Sequence, residues 1–167
     1  MNEERIRNID YLIINDKYRA INEAGLGMSA EVIKCRDKIK HFSPETQYKL
    51  AVISKSLFWK SFKYEVSFDK QPSQEIRSMW FTINNGNHVG SGLRTSTSSK
   101  PDDGIIDITY VKKFCHLITP AILMKVKKGK IDELKYTVKC TCKEVDIKGN
   151  DMTLEYDGNI IKSLNSI

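Results

Sequence analysis

An α+β fold dominated by antiparallel strands is predicted by three observations in the 167-residue chain. "FKYEVSFD" alternates strictly, with Phe62, Tyr64, Val66 and Phe68 on one side and Lys63, Glu65 and Ser67 on the other, the pattern of a half-buried antiparallel strand. From residue 62 onward, short strand-like stretches follow one another with turn residues between them. Between and before them lie two or three segments whose apolar residues fall at near-helical spacing.

Taken in order, "YLIIND" and "YRAINEAG" predict an opening hairpin turning at Asn15, Asp16 and Lys17. After "GLGMS" the spacing of Ala30, Val32, Ile33, Ile39 and Phe42 predicts a helix from about residue 29 to 41, with Ser29 as its cap and Glu31 and Lys34 flanking it. "SPETQYKLAVISKSLFWKS" carries a Ser cap, Pro44 at the first helical position and apolar Tyr48, Leu50, Ala51, Ile53, Leu57 and Phe58, and predicts a second helix. "SMWFTINNG" and "GIIDITYVKK" read as strands, and "TPAILMKVKKGK" as a helix ended by Gly129. The tail alternates, with turns expected at Lys148 to Asp151 and at Asp157 to Asn159; "TSTSSKPDDG" is the one linker-like stretch. The whole suits one domain with a proper core.

Composition narrows the function classes. No stretch reaches the ~18 apolar residues of a membrane span, and the polar start "MNEERIRNID" lacks the apolar centre of a secretory signal, which predicts a cytoplasmic protein. Cys35, Cys115, Cys140 and Cys142 form no C-x-x-C pair and read as reduced, partly buried thiols rather than a zinc site or disulfide. A net charge of +6 favours anionic partners: phosphates, an acidic membrane surface or, least, nucleic acid, for which a clustered basic face is missing.

The stretch "NNGNHVGSGLRTSTSSKPDDGIIDI" is the most informative. Its glycines Gly86, Gly90 and Gly92, with Asn84, Asn85 and Asn87, form either a backbone cradle for phosphate, to which Arg94 adds a grip, or an ordinary hairpin loop. Asp102, Asp103 and Asp107 supply hard oxygen ligands for Mg²⁺ or Ca²⁺, or else Asp102 and Asp103 cap a turn in which Gly104 takes the special dihedral. His88 is a general-base candidate or a packing residue, and "KVKKGK" is a solvated helix end or a contact with anionic lipid headgroups.

Together, "INEAGLGMSAEVI", the glycine-rich stretch with its downstream "DDGIIDI", and the terminal "LEYDGNI" resemble, in order, the carboxy-terminal domain of the diacylglycerol kinase and sphingosine kinase-like lipid kinases. The resemblance spans nearly the whole chain. It implies a β-sandwich-like body with two to three helices, which follows an α/β nucleotide-binding domain in that family, and ATP-dependent phosphorylation of a lipid hydroxyl with Mg²⁺. It implies cofactor contacts at Asn85, Gly86, Gly90 and Gly92, a metal or charge network at Asp102, Asp103 and Asp107 with Asp103 first, and a catalytic role for Asp103.

Two departures bear on that expectation. The family's "GGDGT" nucleotide-binding signature is absent from these residues, so the chain alone is expected to be inactive without a companion nucleotide-binding domain. The family's Asp-Gly-Glu, whose Glu is the candidate base, here reads Asp157, Gly158, Asn159, and an amide is no base at neutral pH, so either Asp157 takes over or the missing carboxylate marks a degenerate enzyme. The implied partners are a lipid substrate or anionic membrane surface, a separate nucleotide-binding domain, and a second copy of the chain. The alternative is a non-catalytic module that holds anionic lipid or another phosphorylated ligand.

Overall fold

The computed structural model describes residues 6, 8–56, 60–89, 92–112, 114, 115 and 118–167. The opening hairpin forms as the pattern predicts: β1 (Leu12–Ile14) pairs antiparallel with β2 (Tyr18–Ala20), and Asn15 and Asp16 take positive φ in the turn between them. "YRAINEAG" is however two strands. The chain bends at Ile21 and Asn22 and enters β3 (Glu23–Gly27), which joins the main sheet instead of the hairpin.

Helix α1 (Met28–Arg36) is shorter than its apolar spacing suggests, closing in tight bonds from Lys38 to Cys35 and from Ile39 to Arg36. Its cap is Gly27, not Ser29, whose hydroxyl is taken by the Trp80 indole N–H at 2.7 Å. Gly27 has φ +71°, and a Cβ there would lie 2.7 Å from the Met79 carbonyl oxygen. The Met79 backbone crowds this position and the Phe62 ring would lie 3.3 Å from the same Cβ, so Gly27→Ala should lower stability by about 3 kcal/mol; urea unfolding of the variant checks it, and a loss below about 1 kcal/mol would show the entry to be adaptable.

Helix α2 (Pro44–Ser56) starts as expected, with the Thr46 N–H donating to the Ser43 hydroxyl at 3.4 Å. It buries Ala51 and Val52 but leaves Leu50 and Ile53 exposed, and the expected Leu57 and Phe58 lie outside the described residues. Strand β4 (Phe62–Phe68) shows the alternation read from its sequence. Strand β5 (Gln74–Ser78) was not anticipated, because only Ile76 and Ser78 of "QEIRS" turn inward. Then come β6 (Trp80–Asn84), a small hairpin of β7 (His88–Val89) and β8 (Leu93–Arg94), β9 (Ile106–Val111), α3 (Thr119–Lys127) and a 3-10 turn at Ile131–Glu133. Gly129 ends α3 at φ +71°, as its position predicts.

The chain closes with β10 (Thr137–Cys142), β11 (Val145–Tyr156) and β12 (Asn159–Ser166). The turn expected at Lys148 to Asp151 is a bulge inside β11: the pairing with β12 shifts register between Lys148 and Met152, and Asp151 has φ 48°. The Asp157–Gly158 turn is real, with positive φ at both residues, as a two-residue hairpin requires.

The principal sheet runs β10-β9-β6-β3-β11-β4-β5 with β12 paired to β11, all antiparallel. The fold is therefore α+β, mainly β and sandwich-like, with three helices among the described residues. One core lies between this curled sheet and the opening hairpin and is built on Leu26, Phe81, Ile108, Ile147 and Leu154. The other lies under the helices and joins Met28, Val32, Ala51, Trp80, Ile122 and Val126. Strands β3 and β6, sandwiched between the two, are buried at every position. Among the described residues no helix is long and apolar enough to cross a membrane.

Candidate functional site

The segment from Ile21 to Glu23 is where Asn85, Gly86 and Asp157, three of the sequence-predicted residues, meet. Asp157, in the β11–β12 turn, accepts from three successive backbone N–H groups: Ile21 at 2.6 Å and Asn22 at 3.1 Å and Glu23 at 3.0 Å. From the other side, the Asn22 carbonyl accepts the N–H groups of Asn85 at 2.9 Å and Gly86 at 2.7 Å. The Asn85 side-chain amide donates to the carbonyls of Asp10 and Ile21. A Cβ at Gly86 would fall 2.0 Å from the Asn22 side-chain oxygen, so glycine is needed there for close approach.

Asn85, Gly86 and Asp157 are thus brought together, and their polar groups are committed to holding one bend. Gly92 stands apart at φ +81° with nothing within 4 Å of a Cβ, and Gly90 lies outside the described residues. Arg94 donates to the carbonyls of Ser96 and Thr97 rather than reaching outward.

Asp102, Asp103 and Asp107 are not brought together. Asp103 accepts the Ile105 N–H at 3.0 Å in an exposed turn, and the neighbouring Gly104 N–H goes to Asp10. Asp107 is buried in β9, where the Ser98 hydroxyl donates to it at 2.5 Å. "TSTSS" is accordingly no linker: Thr95, Ser96 and Ser99 are buried, and Thr95 donates to Asn84, which in turn donates to the Asp107 carbonyl. Among the described residues no three His, Cys, Asp or Glu side chains are gathered as metal ligands, so these acids do not by themselves fit a Mg²⁺ shell.

The same bend borders a feature that the sequence reading missed. A cavity of about 350 Å³ is lined by Glu23, Ser29, Arg36, Tyr48, Glu155 and Asp157, with Ile33 and Val89 as apolar wall. Glu23 and Glu155 are only 5% and 3% exposed. In the register of β3 against β11, Glu155 lies opposite Gly25, so Glu23 is its diagonal neighbour on the same face. Gly25 has no side chain to separate them, and a Cβ there would already lie 3.4 Å from Glu155 Oε2.

Burial, then the nearby charge of Glu155, drives the Glu23 carboxyl well above the ordinary range. Burial likewise pushes Glu155 up to about 7, against the pull of the Gly158 N–H that it accepts at 2.7 Å. Near neutrality the buried pair therefore holds more proton than two exposed glutamates would. Burial and the two acids also raise the Tyr48 hydroxyl. Oε2 of each glutamate is buried and has no hydrogen-bond partner among the described residues. Chemically, the cavity is a small acidic chamber that can take up or release a proton.

The family described as the YegS C-terminal NAD kinase beta sandwich-like domain matches residues 22–166. Three solved structures from Bacillus anthracis str. Sterne are similar to the chain. A putative diacylglycerol kinase superposes with a TM-score of 0.67 at 16% identity over 96% of this chain and 53% of its own. A second putative diacylglycerol kinase gives 0.67 at 19%, over 96% and 54%. A third, a diacylglycerol kinase, gives 0.63 at 15%, over 96% and 49%. At these identities the likeness is one of fold, and the chain spans about half the length of each neighbour. No curated protein matches it.

Proposed function

Because the chain belongs to the family of YegS C-terminal NAD kinase beta sandwich-like domains, we propose that it serves as the second domain of a diacylglycerol kinase-like lipid kinase. In this reading a lipid hydroxyl, such as that of diacylglycerol or a sphingoid base, receives phosphate from ATP. A nucleotide-binding domain, in the same protein or a companion, holds the Mg-ATP, whose bound ion neutralises phosphate charge during transfer. This domain supplies the chamber for the polar end of the acceptor.

The observation that carries the reading is the acidic cavity beside the Asp157 turn. Asp157 acts there as a positioning residue: its carboxylate fixes Ile21 to Glu23 and thereby the wall from which Glu23 projects. Asp103 is the second candidate for the charge network, at the edge of the turn that Asp10 ties to the same bend through Asn85.

The test is transfer of labelled γ-phosphate from Mg-ATP into mixed micelles of diacylglycerol, monoacylglycerol and sphingosine. With a family nucleotide-binding domain supplied, labelled lipid is expected, and with the 167-residue chain alone none. No labelled lipid from the folded pair would sink the kinase reading.

A second reading, a non-catalytic module for anionic lipid at the membrane surface, is favoured by α3, where Met124 is 60% exposed beside exposed Lys125, Lys127 and Lys128. Binding to acidic vesicles without any ATP dependence would support it.

A further inference from the structure

We infer that the Glu23–Glu155 chamber is a binding site for a primary ammonium group, held between the two carboxyls. Both residues line the same cavity, both are more than nine-tenths buried, and Oε2 of each has no hydrogen-bond partner among the described residues. Buried carboxylate oxygens left in this state are costly unless a donor reaches them. A proton between them serves one hydrogen bond. An ammonium, with three N–H donors in a compact head, serves both oxygens and still has one donor left.

Other ligands fit less well. A divalent cation needs more oxygen ligands than the pair provides, and the third acid, Asp157, has already spent its carboxylate on three backbone N–H groups. An anion would meet two acids at the wall. Arg36 could draw one in, but its guanidinium is held by Asp37 at 2.7 Å and by the Gly158 carbonyl at 3.1 Å. A neutral hydroxyl brings a single donor and leaves one oxygen unserved. The apolar wall of Ile33 and Val89 suits the carbon chain of an alkylamine.

The exchange balances simply: one ammonium enters with its positive charge and one proton leaves to solvent. The titratable and charged groups that face the pair are Arg36 from α1, Tyr48 from α2 and Asp157 from the turn. Tyr48 stays neutral during the exchange because burial raises its hydroxyl. Affinity for the amine must therefore rise with pH while the pair gives up its proton. If the kinase reading also holds, the acceptor is an amino alcohol, with the amine in this chamber and the hydroxyl toward the nucleotide. Only that extension rests on the kinase reading; the binding site does not.

The test is calorimetry of the whole chain with n-butylamine, butan-1-ol and tetramethylammonium, in two buffers of different ionisation enthalpy. Butylamine is expected to bind with release of about one proton near pH 7, and to tighten from about pH 5 to about pH 8. Butanol, short of donors, and tetramethylammonium, without any, are expected to bind at least about tenfold more weakly. Glu155→Gln and Glu23→Gln, confirmed as folded by circular dichroism, should each lose about tenfold in butylamine affinity together with the proton release. Unchanged affinity in both variants overturns the proposal. So does a flat pH profile in the unmodified chain, a readout that needs no variant to fold. Amine binding by the chain, with no lipid phosphorylation even when the nucleotide-binding domain is supplied, would keep this site and remove the kinase reading; phosphorylation by the pair without amine binding would do the reverse.

Discussion

Unfolding by urea across a pH series should show the chain losing stability as pH rises from about 4.5 to about 7, and Glu155→Gln should flatten that slope. Glu155 titrates near 7 in the folded chain and near 4.5 when unfolded. Between these values the folded state binds the extra proton, so its advantage is complete below about 4.5 and is lost as pH climbs through about 7. At about 1.4 kcal/mol per pH unit, one such group accounts for ~3 kcal/mol. Glu23, raised in the same direction by burial and by Glu155, adds to the slope.

The isosteric amide donates a hydrogen bond at every pH. The variant should therefore exceed its parent by about 2 kcal/mol at pH 8 and match it near pH 4.5. The lysine-held acids do not mask the effect. Glu31, which burial pushes up but Lys55 and Lys34 hold down, titrates below the ordinary range, and so changes stability only in more acid solution. A parent chain with constant stability from about pH 4.5 to about pH 8 would mean that the two glutamates are not a buried pair in solution.

Replacing Asp157 by Ala should cost about 3 kcal/mol, the largest effect expected of any acid read from the sequence as a site residue. Three backbone donors lose their acceptor at once, and Glu23 is buried, so its N–H cannot turn to water for compensation. Asp157→Asn keeps one oxygen and presents an NH₂ to at least one N–H, so it should fall in between. Asp103→Ala, which removes a single bond to the Ile105 N–H in an exposed turn, should cost no more than about 1 kcal/mol. Denaturant midpoints of the three variants give the ranking, and an Asp157→Ala midpoint equal to the parent's would dismiss the turn as the tie for β3.

Much of the fold is legible in the sequence, and the reasons are local. Alternation at Phe62 to Phe68, the Ser43–Pro44 helix start, Gly129 as a stop and the Asp157–Gly158 hairpin all depend on residues within a few positions of one another. What was not legible depends on distant surfaces. Ala24 and Leu26, like Leu154 and Tyr156, turn toward the first core, which by alternation marks Glu23 and Glu155 as outward and so as solvated. Only the docking of α1 and α2 over that outward face buries them. The polar run from Thr95 to Ser99 misled for a related reason: Thr95 and Ser98 donate to Asn84 and Asp107, only 11 and 9 positions away but on two strands of the main sheet that the run packs against. The acids Asp102, Asp103 and Asp107 are close in sequence, yet the last enters a strand and turns inward while Asp103 stays in an exposed turn.

The place of β11 has a kinetic consequence. It is built from residues 145 to 156, yet it sits in the middle of the sheet, with Leu154 opposite Leu26 on one neighbour and Val145 opposite Phe68 on another. The early strands cannot close on one another, because the strand that joins them is made more than a hundred residues after β3. Such distant pairings carry a high loop-closure entropy and put the protein among slow folders. On the ribosome, β3 and β4 wait with open edges until β11 emerges, and during that interval the nascent chain is exposed to pairing with strands other than its own.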